Sequence, residues 1–227
     1  MKKNNFDKIF VACDSTNVKK IRKILKETQT KKLKVGYKFG LELLNSKNGR
    51  KFVSKLKNQV IFADLKIHDI PNTCISTIKA IKDLKVNYLT IHISSGLNAI
   101  KAAKKIAGKT KLVGVTILTS LDNKALREIG FSKNVKKIVL DQARLANKAK
   151  LDAIVCSAQE VKIVKKVFKK EIITPGIRFD SKTNDQVRTL TPKQAYKNGS
   201  DWLVIGRPIT KNNVKKNMQA LIDHLSQ

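Results

Sequence analysis

Cysteine is scarce and poorly placed for a covalent scaffold. Cys13, Cys74 and Cys156 are an odd number, widely separated, with no CxxC among them. This argues against a disulfide framework or a zinc site and suits a reducing cytosol, where free cysteine behaves as a small buried apolar residue. No apolar stretch approaches the ~20 residues of a membrane-spanning helix; the longest are strand-sized, such as 9–12. The start, Met1-Lys2-Lys3-Asn4-Asn5, is basic but lacks the apolar run of a secretory signal. Neither GxGxxG nor GxxxxGK(S/T) occurs, so the usual nucleotide-binding fingerprints are missing.

Acidic residues are also few, 17 against 48 Lys and Arg, for a net charge of +31. Such a balance invites a nucleic-acid reading, but the lysines are spread over nearly every helical segment, for example 19, 20, 23 and 26, and again 162, 165, 166, 169 and 170. Aromatics make up 5% of the chain and do not alternate with these lysines as stacking platforms. The distribution describes solvated outer helix faces. They would draw in an anionic substrate and hold RNA only at low salt, so no specific nucleic-acid partner and no membrane partner is expected.

What is plentiful is Ile, Leu, Val and Ala, in a repeating order. Strand-like runs fall at 9–13, 33–39, 60–66, 88–93, 112–118, 153–157, 171–174 and 202–205, with helical periodicity between them. Val18, Ile21 and Leu25 form one apolar stripe; Val135, Ile138, Val139, Ala143 and Ala146 form another. Val161, Val164 and Phe168 form a third, and Val214, Met218, Leu221, Ile222 and Leu225 close the chain. Asn17, Asn134 and Thr191-Pro192 are suited to start helices. Eight alternating units predict a (β/α)8 TIM barrel, with an open doubly wound sheet as the alternative. No linker or composition break divides the chain, so residues 1–227 are expected to form a single catalytic domain.

Residues 64–73, Asp-Leu-Lys-Ile-His-Asp-Ile-Pro-Asn-Thr, are the most informative stretch. They sit where an apolar strand runs out, before a helix that Pro71 suits at its first turn. Regular strand alternation puts Asp64 and Lys66 on one face, with Asp69 in the turn beyond. In a barrel, reactive groups gather at the C-terminal strand ends. Polar residues stand at all eight predicted exits: Asp14, Lys38, Asp64 with Lys66, His92, Thr119 with Ser120, Ser157, Arg178, and Gly206-Arg207. Together they predict a polar pocket above an apolar barrel.

With these residues in view, the chain resembles the orotidine 5'-phosphate decarboxylase family in its shorter bacterial form. The pattern D-x-K-x-x-D-I-P-N-T is matched in full by 64–73. Further matches are 11–14 (VACD), 36–40 (GYKFG), 115–120 (VTILTS), 155–158 (VCSA), 174–178 (TPGIR) and 206–210 (GRPIT), in family order. The D-x-K-x-x-D core is shared by other phosphosugar barrels, whereas the I-P-N-T extension with P-G-I-R is more specific. One departure is Ser95-Gly96, where the family usually has two glycines.

The resemblance implies decarboxylation of orotidine 5'-monophosphate to UMP and CO2 in pyrimidine biosynthesis, without metal or cofactor. Charge left on a ring carbon must then be met by protein electrostatics and a proton. It implies Lys66 as electrostatic stabiliser and proton donor to C6, caged by Asp64 and Asp69, with Lys38 extending the network to the ribose. Asp14 is expected on the ribose hydroxyls, Thr119 on the pyrimidine amide edge, and Arg207 with the Gly206 backbone N–H on the phosphate. Gln186 is expected to bridge pyrimidine and phosphate; Arg178 and Ile70 are expected to bind substrate. Asp69 and Thr73 are expected to reach the neighbouring site of a cytoplasmic homodimer. His68 reads as a supporting residue, His92 as a hydrogen-bonded core histidine and His224 as exposed. The rivals are a magnesium-dependent phosphosugar barrel enzyme and a basic nucleic-acid-binding protein on the same scaffold.

Overall fold

Eight parallel strands close into a barrel in sequence order. They are β1 (Lys8–Ala12), β2 (Lys34–Gly40), β3 (Val60–Ile67), β4 (Tyr88–His92), β5 (Lys111–Val115), β6 (Ala153–Val155), β7 (Glu171–Thr174) and β8 (Trp202–Ile205). The computed structural model describes residues 7–179 and 190–226. Closure is made by β1 against β8, with Ile9 opposite Leu203 and Val11 opposite Ile205. The open-sheet alternative is thereby excluded.

The expected caps form. Asn17 accepts from the Lys20 N–H and Asn134 from the Lys137 N–H, opening the helices Val18–Glu27 and Val135–Lys148. Thr191 and Gln194 make a reciprocal capping box, with Pro192 at the first helical position. Each cap satisfies an N–H that the helix itself leaves without a partner. The predicted stripes bury Ile21, Leu25, Ile138, Val139, Val161, Val164, Met218 and Leu221 against the outside of the barrel. All three cysteines are buried thiols outside any disulfide. Among the described residues no helix is long and apolar enough to cross a membrane. Ser95 takes an ordinary right-handed conformation, and the neighbouring Gly96 carries the positive φ of 86°. The serine is therefore accommodated without backbone strain.

The barrel interior is filled from below by aromatic rings. Phe10 stacks on Trp202 at 4.1 Å between centroids and meets Phe62 at 4.9 Å and Tyr88 at 5.2 Å. A side chain at position 36 would come within 2.7 Å of the Phe10 ring, so Gly36 on β2 makes room for this plug. At the same end, residues just before or at three strand starts repeat one device. Asn87 accepts from the Ile61 N–H, Asp152 from the Leu112 N–H and Asp201 from the Ile172 N–H. Lys104 and Lys165 pair with the two carboxylates, tying outer helices to the barrel base. The closed base leaves the opposite, C-terminal mouth as the place for chemistry.

Two predicted strands end two or three residues early. β5 stops at Val115 and β6 at Val155, because Thr116 and Ser157 turn their polar groups to other uses. The Thr116 hydroxyl donates to the Val155 carbonyl, and the Ser157 N–H goes to Glu160.

Candidate active site

A cavity of about 480 Å³ opens at the C-terminal mouth. Its lower wall is apolar, with Ala12, Phe62, Val115, Val155 and Val204. Its upper wall carries Asp14, Lys38, Asp64, Lys66 and Thr119 on one side and Arg178, Gly206 and Arg207 on the other strands. Of the twelve residues expected at the site, these eight share the cavity.

The charged cluster is built on β1, β2 and β3. Asp64 is buried, and its Oδ2 lies 2.8 Å from Lys66 Nζ and 3.6 Å from Lys38 Nζ. Lys38 Nζ also donates to Asp14 Oδ1 at 2.9 Å, so a chain of alternating charge runs Asp14–Lys38–Asp64–Lys66. Position 40, opposite Asp64 in register, is glycine; a Cβ there would lie in ordinary contact with Lys38 Nζ at 3.4 Å and Asp14 Oδ1 at 3.5 Å. Burial alone would raise the Asp64 pKa, but Lys38 and Lys66 outweigh it and hold the carboxyl below its usual value. Burial alone would lower the Lys38 pKa, yet Asp64 and Asp14 leave it raised. Both groups are charged near neutrality.

Asp64 and Lys66 do meet, but not by regular strand alternation. Between the paired positions Ala63–Leu89 and Ile67–Ile91, β3 advances four residues while β4 advances two. The surplus forms a bulge, and Lys66 adopts a left-handed φ of 48°. For a lysine this costs on the order of 1 kcal/mol. The Lys66 N–H is received by the Thr90 hydroxyl at 2.7 Å, and that hydroxyl donates to Asp64 Oδ1 at 3.1 Å. Bulges beside active sites re-aim side chains. Thr90 carried no signal in a segment read only as an apolar strand.

The remaining expectations divide. Asp69 does not cage Lys66 within its own chain: it is exposed, its Oδ1 accepts from the Ile70 N–H, and no ion pair to it forms among the described residues. The reason is the turn after Ile67, which carries residues 68–70 outward. Ile70, 66% exposed, and Thr73 also lie outside the cavity. Gln186 lies outside the described residues. The polar groups at the β4 and β6 exits do not line the cavity. His92 is half-buried with its ring 5.1 Å from that of His68, and Ser157 is buried in its own turn. His68 instead meets the Ser94 hydroxyl at 3.2 Å. His224, expected to be exposed, is half-buried beside Phe179. Pro175, Gly176, Ile117 and Leu118 line the cavity without having been singled out.

The family model for orotidine 5'-phosphate decarboxylase / HUMPS matches residues 7–220. This chain belongs to that family. An orotidine 5'-phosphate decarboxylase of Wolbachia sp. subsp. Brugia malayi is 47% identical over 196 residues, covering 83% of this chain and 87% of that one. The Coxiella burnetii enzyme of the same name is 40% identical over 218 residues, 90% of each chain. A crystal structure of orotidine 5'-phosphate decarboxylase from Lactobacillus acidophilus superposes with a TM-score of 0.82 at 33% identity, over 97% of this chain and 100% of that chain. That of Methanocaldococcus jannaschii, at 23% identity and TM-score 0.79, shares the fold. The activity of this chain is decarboxylation of orotidine 5'-monophosphate to UMP and CO2 in pyrimidine biosynthesis (EC 4.1.1.23).

Proposed function

We propose that Lys66 carries this reaction as both electrostatic partner and proton donor, with no metal or cofactor. The C6–carboxylate bond breaks heterolytically, CO2 departs, and the electron pair stays on C6. The Lys66 ammonium faces that charge and gives C6 its proton; solvent then recharges the lysine. The observation that carries this reading is the Lys66 ammonium held 2.8 Å from Asp64 inside a cavity whose floor is apolar. In such surroundings a fixed charge acts more strongly than in water.

Asp64 fixes Lys66 and stands near the departing carboxylate. Two like charges ~4 Å apart at an effective dielectric near 20 repel by about 4 kcal/mol before screening. Lys38 and Asp14 continue the network toward the ribose hydroxyls, and Thr119 reads the pyrimidine amide edge. Arg207 with the Gly206 N–H takes the phosphate, Gln186 bridges pyrimidine and phosphate, and Arg178 binds substrate. Phosphate binding is remote from C6, so its energy serves closure and orientation.

The working unit is a homodimer in the cytoplasm, each chain one catalytic domain, with Asp69 and Thr73 completing the neighbouring site. Their exposure outside their own cavity supports this arrangement. Mixing Lys66→Ala with Asp69→Ala chains tests it. Random re-pairing leaves one intact site in half of the dimers, so about a quarter of wild-type activity should return. Two inactive parents that stay inactive after mixing refute the shared site.

The donor role is tested by following orotidine 5'-monophosphate absorbance with excess EDTA, for wild type and Lys66→Ala. Full wild-type turnover in EDTA and none for the variant is expected. A magnesium requirement would favour the metal-dependent phosphosugar chemistry, and Lys66→Ala activity within tenfold of wild type would refute the donor.

A further inference from the structure

Thr90 sits on β4 with no exposed surface and no place in the cavity wall, yet its hydroxyl touches two parts of the charged cluster. A hydroxyl has one proton to give and two lone pairs to receive. The Lys66 N–H, 2.7 Å away, can only donate, so it occupies a lone pair. The hydroxyl proton is thereby directed to Asp64 Oδ1, 3.1 Å away. The order backbone N–H, hydroxyl, carboxylate is fixed by chemistry, and each link polarises the next.

This arrangement has two consequences for geometry. Asp64 Oδ1 is committed to Thr90, which leaves Oδ2 to face both ammoniums, Lys66 at 2.8 Å and Lys38 at 3.6 Å. Lys66 meanwhile departs from strand geometry at a bulge, with a left-handed φ of 48°. There its N–H finds the Thr90 side chain in place of a ladder carbonyl. A single hydroxyl therefore sets the carboxylate's rotation and the backbone turn from which the lysine springs.

We infer that Thr90 is a positioning residue for decarboxylation, holding the Lys66 ammonium in register with C6 through Asp64 and the Lys66 backbone. The inference rests on the reading of Lys66 as proton donor. It requires no contact between Thr90 and substrate. Its signature is a loss confined to the chemical step, because the groups expected on phosphate and ribose, Arg207 and Asp14, make none of these hydrogen bonds.

The test uses Thr90→Val, which keeps the shape and removes the oxygen, beside Thr90→Ser, which keeps the oxygen and removes a methyl. Each full-length variant is assayed for kcat and KM with orotidine 5'-monophosphate, for UMP affinity by calorimetric titration, and for melting temperature. Misplacing a reacting group by ~1 Å costs on the order of 10²-fold. Thr90→Val should therefore lose about 10²-fold in kcat while KM and the UMP Kd move less than about threefold. Thr90→Ser should recover kcat to within about fivefold of wild type despite the small void it creates. A residue that only fills the core would give the reverse order, with Val retained and Ser impaired.

If Thr90→Val does not fold, Thr90→Ala against Thr90→Ser makes the same comparison, since the two differ only in the oxygen. Thr90→Val, or Thr90→Ala in its place, with kcat within about threefold of wild type overturns the inference, as does serine that fails to restore kcat. Lys66→Ala run in parallel separates the two readings. Activity retained in Lys66→Ala refutes the donor role itself. A dead Lys66→Ala beside an unimpaired Thr90→Val refutes the positioning role alone.

Discussion

Asp64→Asn keeps the side chain's size and removes its charge, and the structure gives the cost. The two ammoniums that share Asp64 Oδ2, at 2.8 and 3.6 Å, would face each other unneutralised. Sharing one oxygen at those distances they are at most about 6.4 Å apart, where two unit charges repel by about 2.6 kcal/mol at an effective dielectric near 20. The Lys66 side chain is 35% exposed, so solvent screens part of this. Lys38 retains Asp14 at 2.9 Å and can swing toward it. Those reliefs are offset by the loss of two charge-assisted hydrogen bonds, giving a net loss near 3 kcal/mol, the low end for breaking one side of a buried ion pair. At ~2–4 °C per kcal/mol for a chain of this size, melting should fall by about 6–12 °C. Lys66, no longer tethered, should lose at least ~10²-fold in turnover. Scanning calorimetry and the absorbance assay measure the two effects on one preparation. An Asn variant melting within 2 °C of wild type (about the effect of 1 kcal/mol or less) and turning over within about threefold would refute the charge-network reasoning.

Arg207→Ala should lower kcat/KM by about 30- to 5,000-fold, the effect of losing ~2–5 kcal/mol from a charged contact, read by steady-state kinetics. Asp201→Ala removes the acceptor of the Ile172 N–H and the partner of Lys165 at the far end of the barrel. It should cost about 2 kcal/mol and roughly 4–8 °C of melting temperature while leaving kcat unchanged. The Asp64 carboxyl is held below its usual 3.8, so its stabilisation is present above pH 3.8 and is lost as pH falls through the lower folded value. Lys38 is raised above 10.5, so its share is present below pH 10.5 and is lost as pH rises through the higher folded value. The melting difference between wild type and Asp64→Asn should accordingly be flat between about pH 5 and 9 and shrink outside that range.

Much of the barrel was legible because its cues are local. Asn17, Asn134 and Thr191-Pro192 each cap a helix through their own neighbours, and the apolar stripes need only a period of 3.6. Strand ends were less legible: β5 stops where Thr116 finds Val155 on the neighbouring strand, and β6 where Ser157 enters a turn closed by Glu160. At the site, motif order sufficed to bring Asp14, Lys38, Asp64, Lys66 and Arg207 to one cavity. Period-two alternation reached the right neighbours, Asp64 and Lys66, through the wrong geometry, because a bulge depends on register against β4. The same dependence hid Thr90, whose role exists only once two strands are laid side by side. Asp69 shows the opposite limit: the family resemblance implied a cage around Lys66, while within its own chain the turn after Ile67 carries it away.

The lone indole of the chain, Trp202, lies against Phe10 at the base, in one cluster with Phe62 and Val204 of the cavity's apolar wall. Its ultraviolet emission therefore reports whether the base of the barrel is assembled. Unfolding of any mouth variant can be followed by this built-in lamp before substrate is added, so a folding defect and a catalytic one are told apart on a single preparation.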